Sequence, residues 1–306
     1  MNEKVLFIDS WNNVGDFFRE ERNKIKGLDN VNLYKNNSFV NKMFRWIGLK
    51  IFKPFLYFSY GNWKKDIYKY DIFILESRKS FEYALKFIKK KTNKRVIVWY
   101  WNEVTEREIE PYIVVNKYNC EAWSFDKKNA EKYNMKFNNT YYFSTVNLPK
   151  KNIENDVFYV GIDREGRIEK LKELSNYFNK CGLKYNFNLT TSPIKMPEKT
   201  FQYKERLSYK DVLNEIAKSK VILDLTKETQ YGLTLRPVEA LFFEKKLITD
   251  NKNIKEYNFY NPKNIFILGE DNLEKLNEFI DSKYEKIDEK KIEEYDFKNW
   301  LNRIIN

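Results

Sequence analysis

A polar loop in residues 221–251 combines the residue types that bind anions. These residues, VILDLTKETQYGLTLRPVEALFFEKKLITDN, predict a strand, a loop, an amphipathic helix and a second strand. Gly232 would let the backbone approach a ligand, and the helix start that follows directs free N–H groups toward it. Arg236 lies in the first turn of the helix, where a cation opposes the helix dipole. The pattern therefore indicates an anion site, which also includes Thr229, Leu233 and Thr234.

An acidic residue on the same helix predicts recognition of a hydroxylated group beside that anion. Glu239 lies three residues after Arg236, on the same side of the helix. A carboxylate in this position can accept both hydrogen bonds of a ribose diol, as acids do in nucleotide-binding folds. The alternative is a helix-surface acid paired with a lysine.

Two further arginines follow a predicted strand in residues 157–167, VFYVGIDREGR. The strand ends in Gly161, and a short loop then brings Arg164 and Arg167 to the start of a helix. A helix N-terminus with two arginines suits a diphosphate, and a solvated charged turn is the alternative.

Short apolar runs alternate with helical patterns along the whole chain, which is typical of parallel sheets covered on both faces. Strands are predicted at 4–9, 31–34, 71–76, 95–101 and 120–124, and again at 157–160, 185–190, 221–225, 246–249 and 264–268. A Pro-containing segment at 141–156 is interpreted as a linker. We expect an α/β fold of two Rossmann-like doubly wound domains facing a central cleft, with the strand ends forming the sites.

The residue composition restricts the chemistry that is open to this protein. The 306-residue chain has no His and two isolated Cys, so the usual zinc sites and imidazole-based catalysis are excluded. Carboxylates, phenols, Lys, Arg and backbone dipoles remain, and no Asp-x-Asp pair that could hold a metal ion follows a predicted strand. We expect no metal and no cofactor. The sequence starts without a signal-peptide pattern and has no apolar run of about 18 residues, so we expect a cytoplasmic protein.

Residues 157–268 resemble the group 1 glycosyltransferases, which have the GT-B fold. The resemblance is carried by GLTLRPVEALFFEKKLITDN, by VGIDREGR and by SYKDVLNEIAKSKVILDL. WSFDKKNAEKY, KFNNTYYF and the closing DFKNWLNRI resemble small transferases of polysaccharide and lipopolysaccharide-core biosynthesis. The resemblance implies metal-independent transfer of a sugar from a nucleotide-diphosphate donor, expected to be a UDP-hexose, to a cell-surface glycan or lipid-linked acceptor.

The resemblance also implies roles for domains and residues. It implies that 1–150 form the acceptor-side domain, that 151–290 bind the nucleotide sugar, and that 291–306 end in a helix packing back on the first domain. Glu239 would bind the donor ribose, Arg164, Arg167 and Arg236 would neutralise the diphosphate, and the backbone at Gly232, Leu233 and Thr234 would lie near it. Retaining members have Glu-x7-Glu, but no Glu stands at 229–231 here, so retention or inversion stays open. Glu244 occupies a position where the family usually has Gly.

An inverting transferase needs a base for the acceptor hydroxyl, and without His the candidates are carboxylates. Asp16 follows Gly15 at a predicted helix start, where some GT-B enzymes have their base, although an N-cap is an alternative role. Glu76 ends a predicted strand, and Glu103 follows another. Two other functions stay open: transfer of another activated group such as glycerol or ribitol phosphate, and nucleotide-sugar binding without catalysis.

The excess of positive over negative charge lies almost entirely in the first half of the chain. The net charge is +12, and residues 1–150 have 28 basic and 17 acidic side chains. Residues 35–69 have eight basic side chains against Asp66 alone, interleaved with aromatic residues. This pattern predicts peripheral contact with an anionic membrane surface at the inner face of the cell membrane, and an ordinary amphipathic helix with its basic side in water is the alternative. No motif that reads bases is present, so no nucleic-acid partner is expected.

Overall fold

The structure is a computed structural model that describes residues 3–9, 14–35, 38–164, 166–191, 197–199, 201–227 and 230–306. The chain divides into two compact units. The first unit comprises residues 1–139 together with 301–306, and the second comprises residues 140–300. The division therefore falls within the last helix.

Within the described residues, the first unit contains a parallel sheet of six strands in the order β2-β1-β3-β4-β5-β6. The strands are β1 Val5–Asp9, β2 Leu28–Asn32, β3 Ile72–Glu76, β4 Arg95–Tyr100, β5 Glu121–Ser124 and β6 Lys136–Phe137. The helices are α1 Val14–Arg22, α2 Phe39–Lys50, α3 Leu56–Ser59, α4 Glu82–Lys91 and α5 Lys127–Lys132. The central strands β1 and β3 are buried at every position, as strands covered on both faces must be.

The second unit contains a parallel sheet of five strands among its described residues, in the order β11-β10-β9-β7-β8. The strands are β7 Asn155–Ile162, β8 Tyr185–Thr190, β9 Ser219–Asp224, β10 Lys246–Thr249 and β11 Ile265–Ile267. The helices are α6 Arg167–Lys180, α7 Tyr209–Ala217, α8 Leu235–Phe242, α9 Leu276–Asp281 and α10 Glu289–Glu293. The helix α11, Phe297–Ile305, crosses from this unit into the first.

Both sheets reverse their strand order next to the first strand of the unit. In the first unit β2 lies on one side of β1 and β3 on the other, and in the second unit β8 and β9 flank β7 in the same way. Right-handed crossovers then place helices on both faces of each sheet. The predicted fold class, two Rossmann-like α/β domains, is confirmed.

The segment predicted as a polar linker begins with buried aromatic side chains. Tyr141 and Tyr142 are fully buried and Phe143 nearly so. The Tyr141 ring packs on Phe297 and Trp300 of the same unit, with centroid distances of 4.7 and 4.6 Å. The YYF run is therefore part of the core of the second unit, and only the polar residues after it resemble a linker.

None of the helices in the described part of the chain has the length and apolar character that crossing a bilayer requires.

Candidate functional site

The carboxyl ends of β7 and β9 form the reversal point of the second sheet, where ligands bind in open α/β folds. Arg167, at the start of α6, joins these two ends. Its guanidinium donates to the Ile162 carbonyl at 2.7 Å and to the Leu225 carbonyl at 2.6 Å. Arg167 thus lies at the expected place and braces the strand ends, while its contact with a diphosphate stays a prediction.

The predicted loop leads directly to the N-terminus of α8, and Thr234 ties the two together. The Thr234 hydroxyl accepts from the Arg236 N–H at 3.1 Å and donates to Asp224 at the end of β9 at 2.7 Å. Thr249, which ends β10, donates to the other Asp224 oxygen at 3.1 Å. Gly232 and Leu233 are buried. Thr229 lies outside the described residues.

Arg236 and Glu239 form an ion pair whose carboxylate is fully buried. Nη1 of Arg236 lies 2.5 Å from Oε2 of Glu239, and the side chains are 15% and 0% exposed. The Tyr209 hydroxyl from α7 donates to Oε1 of Glu239 at 2.5 Å, and the Tyr142 hydroxyl lies 2.7 Å from that of Tyr209. Arg236 is therefore the partly exposed member of a polar cluster, and Glu239, Tyr209 and Tyr142 are its buried members.

Burial controls the protonation of the two carboxyls in this cluster. It raises the pKa of Glu239 to about 7, with the Asp224 charge acting in the same direction while Arg236 and the Tyr209 hydrogen bond oppose it. Burial likewise raises the pKa of Asp224 to about 6, helped by Asp250 and opposed by the hydroxyls of Thr234 and Thr249. The folded protein retains protons that the unfolded chain has already released, so folding stability falls as the pH rises from about 4 to 7.

We predict that the Glu239→Gln variant shows a flatter dependence of stability on pH than the wild type. Gln cannot titrate, so the free energy of unfolding of the wild type relative to the variant should fall by about 3 kcal/mol between pH 4.5 and pH 8. Urea denaturation of both proteins at three pH values in this window measures the difference. A difference that stays constant with pH would contradict the buried, protonatable carboxyl.

The hydroxyl of Tyr159 on β7 is buried near the reversal point and has no hydrogen-bond partner among the described residues. Nη1 of Arg236 and Oε2 of Glu239 are also buried, and they contact each other in the ion pair. Burial raises the pKa of the Tyr159 hydroxyl, and the nearby charge of Asp224 acts in the same direction. The charges of Arg167 and Arg236 oppose it, so all three charged groups lie near this hydroxyl. A buried polar group without a partner costs about 1–3 kcal/mol, so the Tyr159 hydroxyl is a candidate to meet a ligand next to the Arg236–Glu239 pair.

Gly161 leaves room for the Tyr159 side chain. A Cβ at residue 161 would lie 2.3 Å from the Tyr159 hydroxyl oxygen and 2.8 Å from its Cζ, closer than atoms can approach. Glycine at this position therefore allows the observed placement of the tyrosine two residues earlier on the same strand, which any larger residue would displace. Arg164 follows in the loop after β7 and is exposed.

Glu244 directly follows the C-cap of α8 and lies in the left-handed region of the backbone, with φ at 50°. Glycine favours this conformation at helix ends because it has no Cβ. The position where the resemblance expects Gly thus has the backbone that Gly would prefer.

In the first unit, the candidate bases lie near the reversal point between β1 and β3. α1 begins at Val14, so Asp16 lies inside its first turn and is not the N-cap. The Asp16 carboxylate is 57% exposed and lies 2.6 Å from Nη1 of Arg19. Arg19 also contacts Asp9, a fully buried acid at the end of β1 that pairs with Nη2 of Arg22 at 2.7 Å. Asp16 is therefore an accessible carboxylate in a network of alternating charges.

Glu76 ends β3 and is 3% exposed. Because Ile8 and Leu75 are register partners, Asp9 and Glu76 stand in the same row of the sheet. The structure therefore brings both predicted bases, Asp16 and Glu76, to the reversal edge of the first unit. Of the two, Glu76 is buried and Asp16 is exposed.

Sequence reasoning did not identify Tyr159, Tyr209 or Asp224 as parts of the site. Asp224 had a usable signal, since it is a lone carboxylate at the end of an apolar strand. The two tyrosines had none, because an aromatic residue in an α/β sequence is ordinarily part of the core.

No protein-family model matches this sequence, and no curated protein sequence matches it. Two solved structures share the fold over nearly the whole chain. The UDP-GlcNAc 2-epimerase from Methanocaldococcus jannaschii superposes with a TM-score of 0.52 at 12% identity, covering 99% of this chain and 98% of that chain. S. aureus MnaA, in a co-structure with UDP, superposes with a TM-score of 0.50 at 13% identity, covering 99% and 95%. At these identities the likeness concerns the two-domain α/β fold.

Proposed function

We propose that the protein is a glycosyltransferase that takes a sugar from a nucleotide-diphosphate donor, a UDP-hexose, and binds that donor at the reversal point of the second unit. The observation that carries the proposal is the buried Tyr159 hydroxyl, which has no hydrogen-bond partner among the described residues and lies within the electrostatic influence of Arg167 and Arg236. A nucleoside diphosphate offers an anion to this hydroxyl and to the arginines, and it offers ribose hydroxyls to Glu239.

The proposed donor contacts follow from the chemistry of each group. The guanidinium of Arg236 and the hydroxyl of Tyr159 bind the diphosphate, together with the backbone N–H groups at the N-terminus of α8. Oε2 of Glu239 accepts from a ribose hydroxyl. Arg164, which is exposed at the start of the α6 segment, adds positive charge, and Thr229 is proposed as a further donor contact.

The proposed reaction needs no bound metal. A carboxylate, Asp16 or Glu76, takes the proton of the acceptor hydroxyl while the hydroxyl oxygen attacks the anomeric carbon of the donor sugar. The bond between that carbon and the diphosphate oxygen breaks, and its electron pair leaves with the nucleoside diphosphate. Arg236 and the helix N-terminus stabilise the charge on this leaving group. The acceptor in this proposal is a cell-surface glycan or a lipid-linked oligosaccharide.

A second candidate is epimerisation of a UDP-sugar at the same donor site. It is favoured by the two solved structures of similar fold, which are named as a UDP-GlcNAc 2-epimerase and as MnaA in a co-structure with UDP. Both candidates use the same nucleotide contacts and differ in their products. Transfer joins the sugar to an acceptor hydroxyl and releases UDP, whereas epimerisation yields a UDP-sugar of changed configuration.

The two candidates are distinguished by incubating the protein with a panel of UDP-hexoses in the presence of EDTA, with and without glycan or lipid-linked acceptors. UDP release and the formation of epimeric UDP-sugars are measured. We expect UDP release that depends on the acceptor and that is unchanged, within about twofold, when Mg²⁺ replaces EDTA. An epimeric UDP-sugar formed without acceptor would establish the second candidate. Failure to bind or turn over any nucleotide sugar would contradict both.

A further inference from the structure

The helix α2 presents its apolar side to the outside. Phe39, Met43 and Trp46 form a stripe at helical spacing, and their side chains are 82%, 41% and 58% exposed. Leu49 and Val40 border this stripe and are also exposed. In a surface helix of a globular protein this stripe packs on the core, so the usual amphipathic arrangement is reversed here.

The opposite side of α2 is already packed. A Cβ on Gly48 would lie 2.7 Å from the backbone nitrogen and Cγ of Leu56, so the glycine allows α2 and α3 to touch. Phe44 stacks on Phe55 at 6.0 Å and contacts Phe58 at 5.6 Å. The exposed stripe is therefore not the side that α2 uses to pack on the first unit.

The apolar surface continues beyond the helix. Ile51 is 70% exposed, Phe52 55% and Phe58 52%, and the ring of Tyr57 is also exposed. We call the exposed apolar side chains of residues 39–58 the α2–α3 surface. Exposed apolar side chains that are clustered in one segment in this way are typical of an interaction site.

The charged side chains within this segment are all positive. No acidic residue occurs between positions 38 and 65, whereas Lys42, Lys50, Lys53 and Lys65 are exposed. Lys64 lies 3.8 Å above the Tyr57 ring and donates to the Tyr57 carbonyl. Burial and the nearby charges of Lys35 and Lys65 lower its pKa to about 8, as expected in a field of like charges.

We propose that the α2–α3 surface docks on an anionic phospholipid bilayer, with its aromatic side chains in the interface and its Lys and Arg heads at the lipid phosphates. Aromatic and aliphatic side chains rimmed by long basic side chains match the two layers of such an interface. A second copy of this chain would bring two basic rims together, which like charges oppose. The inference goes beyond the proposed function, since it involves no residue of the donor site.

The test is cosedimentation of the full chain with vesicles, in the absence of nucleotide. We expect binding to vesicles of phosphatidylcholine with phosphatidylglycerol, and binding at least about tenfold weaker to phosphatidylcholine alone. The double variant Phe39→Ser, Trp46→Ser should lose about tenfold or more in affinity for the anionic vesicles. The matched control is Tyr112→Ser, Ile153→Ser, two side chains of similar exposure far from this surface in sequence, and it should bind like the wild type.

A second pair of variants tests the charge. Lys42→Gln, Lys50→Gln should weaken anionic-vesicle binding about tenfold, whereas Lys90→Gln, Lys91→Gln on α4, with the same change in net charge, should leave it within about twofold. Thermal unfolding of each variant shows that it is folded.

Absence of binding to anionic vesicles, equal binding to both vesicle types, or wild-type binding by the apolar variant would overturn the proposal. Nucleotide titration of the same proteins without vesicles keeps this result separate from the donor site, because either can fail while the other holds.

Discussion

Replacing Glu239 with Ala is expected to destabilise the protein by about 3–5 kcal/mol and to abolish nucleotide binding. The variant leaves the guanidinium of Arg236, only 15% exposed, without its carboxylate, and it removes the acceptor of the Tyr209 hydroxyl. Denaturant unfolding measures the stability, and isothermal titration with UDP measures the binding.

A double variant separates the two effects. Arg236→Met, Glu239→Leu removes the buried pair together, and it should recover most of the lost stability while still failing to bind UDP. Glu270→Ala breaks a partly exposed surface ion pair with Lys255 that is 2.5 Å long, and it should leave the stability close to that of the wild type because water screens such pairs. Wild-type stability of Glu239→Ala, or UDP binding by the double variant, would contradict the account.

Tyr159→Phe is expected to weaken UDP binding by about 10- to 100-fold while leaving the free protein at least as stable as the wild type. The hydroxyl is buried without a hydrogen-bond partner among the described residues, so its removal costs the free protein nothing and relieves a desolvation penalty. In the complex the hydroxyl would donate to a charged diphosphate, a hydrogen bond of about 1.5–3 kcal/mol.

Tyr60→Phe provides the matched control, because its hydroxyl in the first unit is also buried and has no aligned partner in the described chain. It should show the same effect on stability and no effect on UDP binding. A Tyr159→Phe variant with unchanged affinity, or with clearly lower stability, would show that this hydroxyl has a partner inside the protein instead of a ligand.

Local patterns were sufficient to predict most of the fold. The strands at 185–190 and 246–249 have the predicted bounds, because each is a short β-rich run bounded by polar residues or a helix end. Asp126, which follows β5, caps α5 by accepting from the Asn129 N–H, and this is the residue type that helix N-caps favour. β2 is different: it was predicted at 31–34 and occupies Leu28–Asn32, since pairing with β1 and not the apolar run determines its bounds.

The candidate site was predictable only where its parts are near in sequence. Arg236 and Glu239 are one helical turn apart, so their contact follows from helical spacing. Tyr209 reaches Glu239 from 30 residues away, and no local pattern announces such a contact. For α2 the sequence left two orientations open, an apolar side facing outward or an apolar side packed on the protein, because periodicity defines an apolar stripe without showing what covers it.

The most direct test of the donor site is a crystal structure of the protein with bound UDP. We expect the nucleotide at the carboxyl ends of β7 and β9, with diphosphate oxygens within hydrogen-bond distance of the Arg236 guanidinium and the Tyr159 hydroxyl, and a ribose hydroxyl on Glu239. A nucleotide bound elsewhere, or a site that stays empty of nucleotide at millimolar UDP, would contradict it.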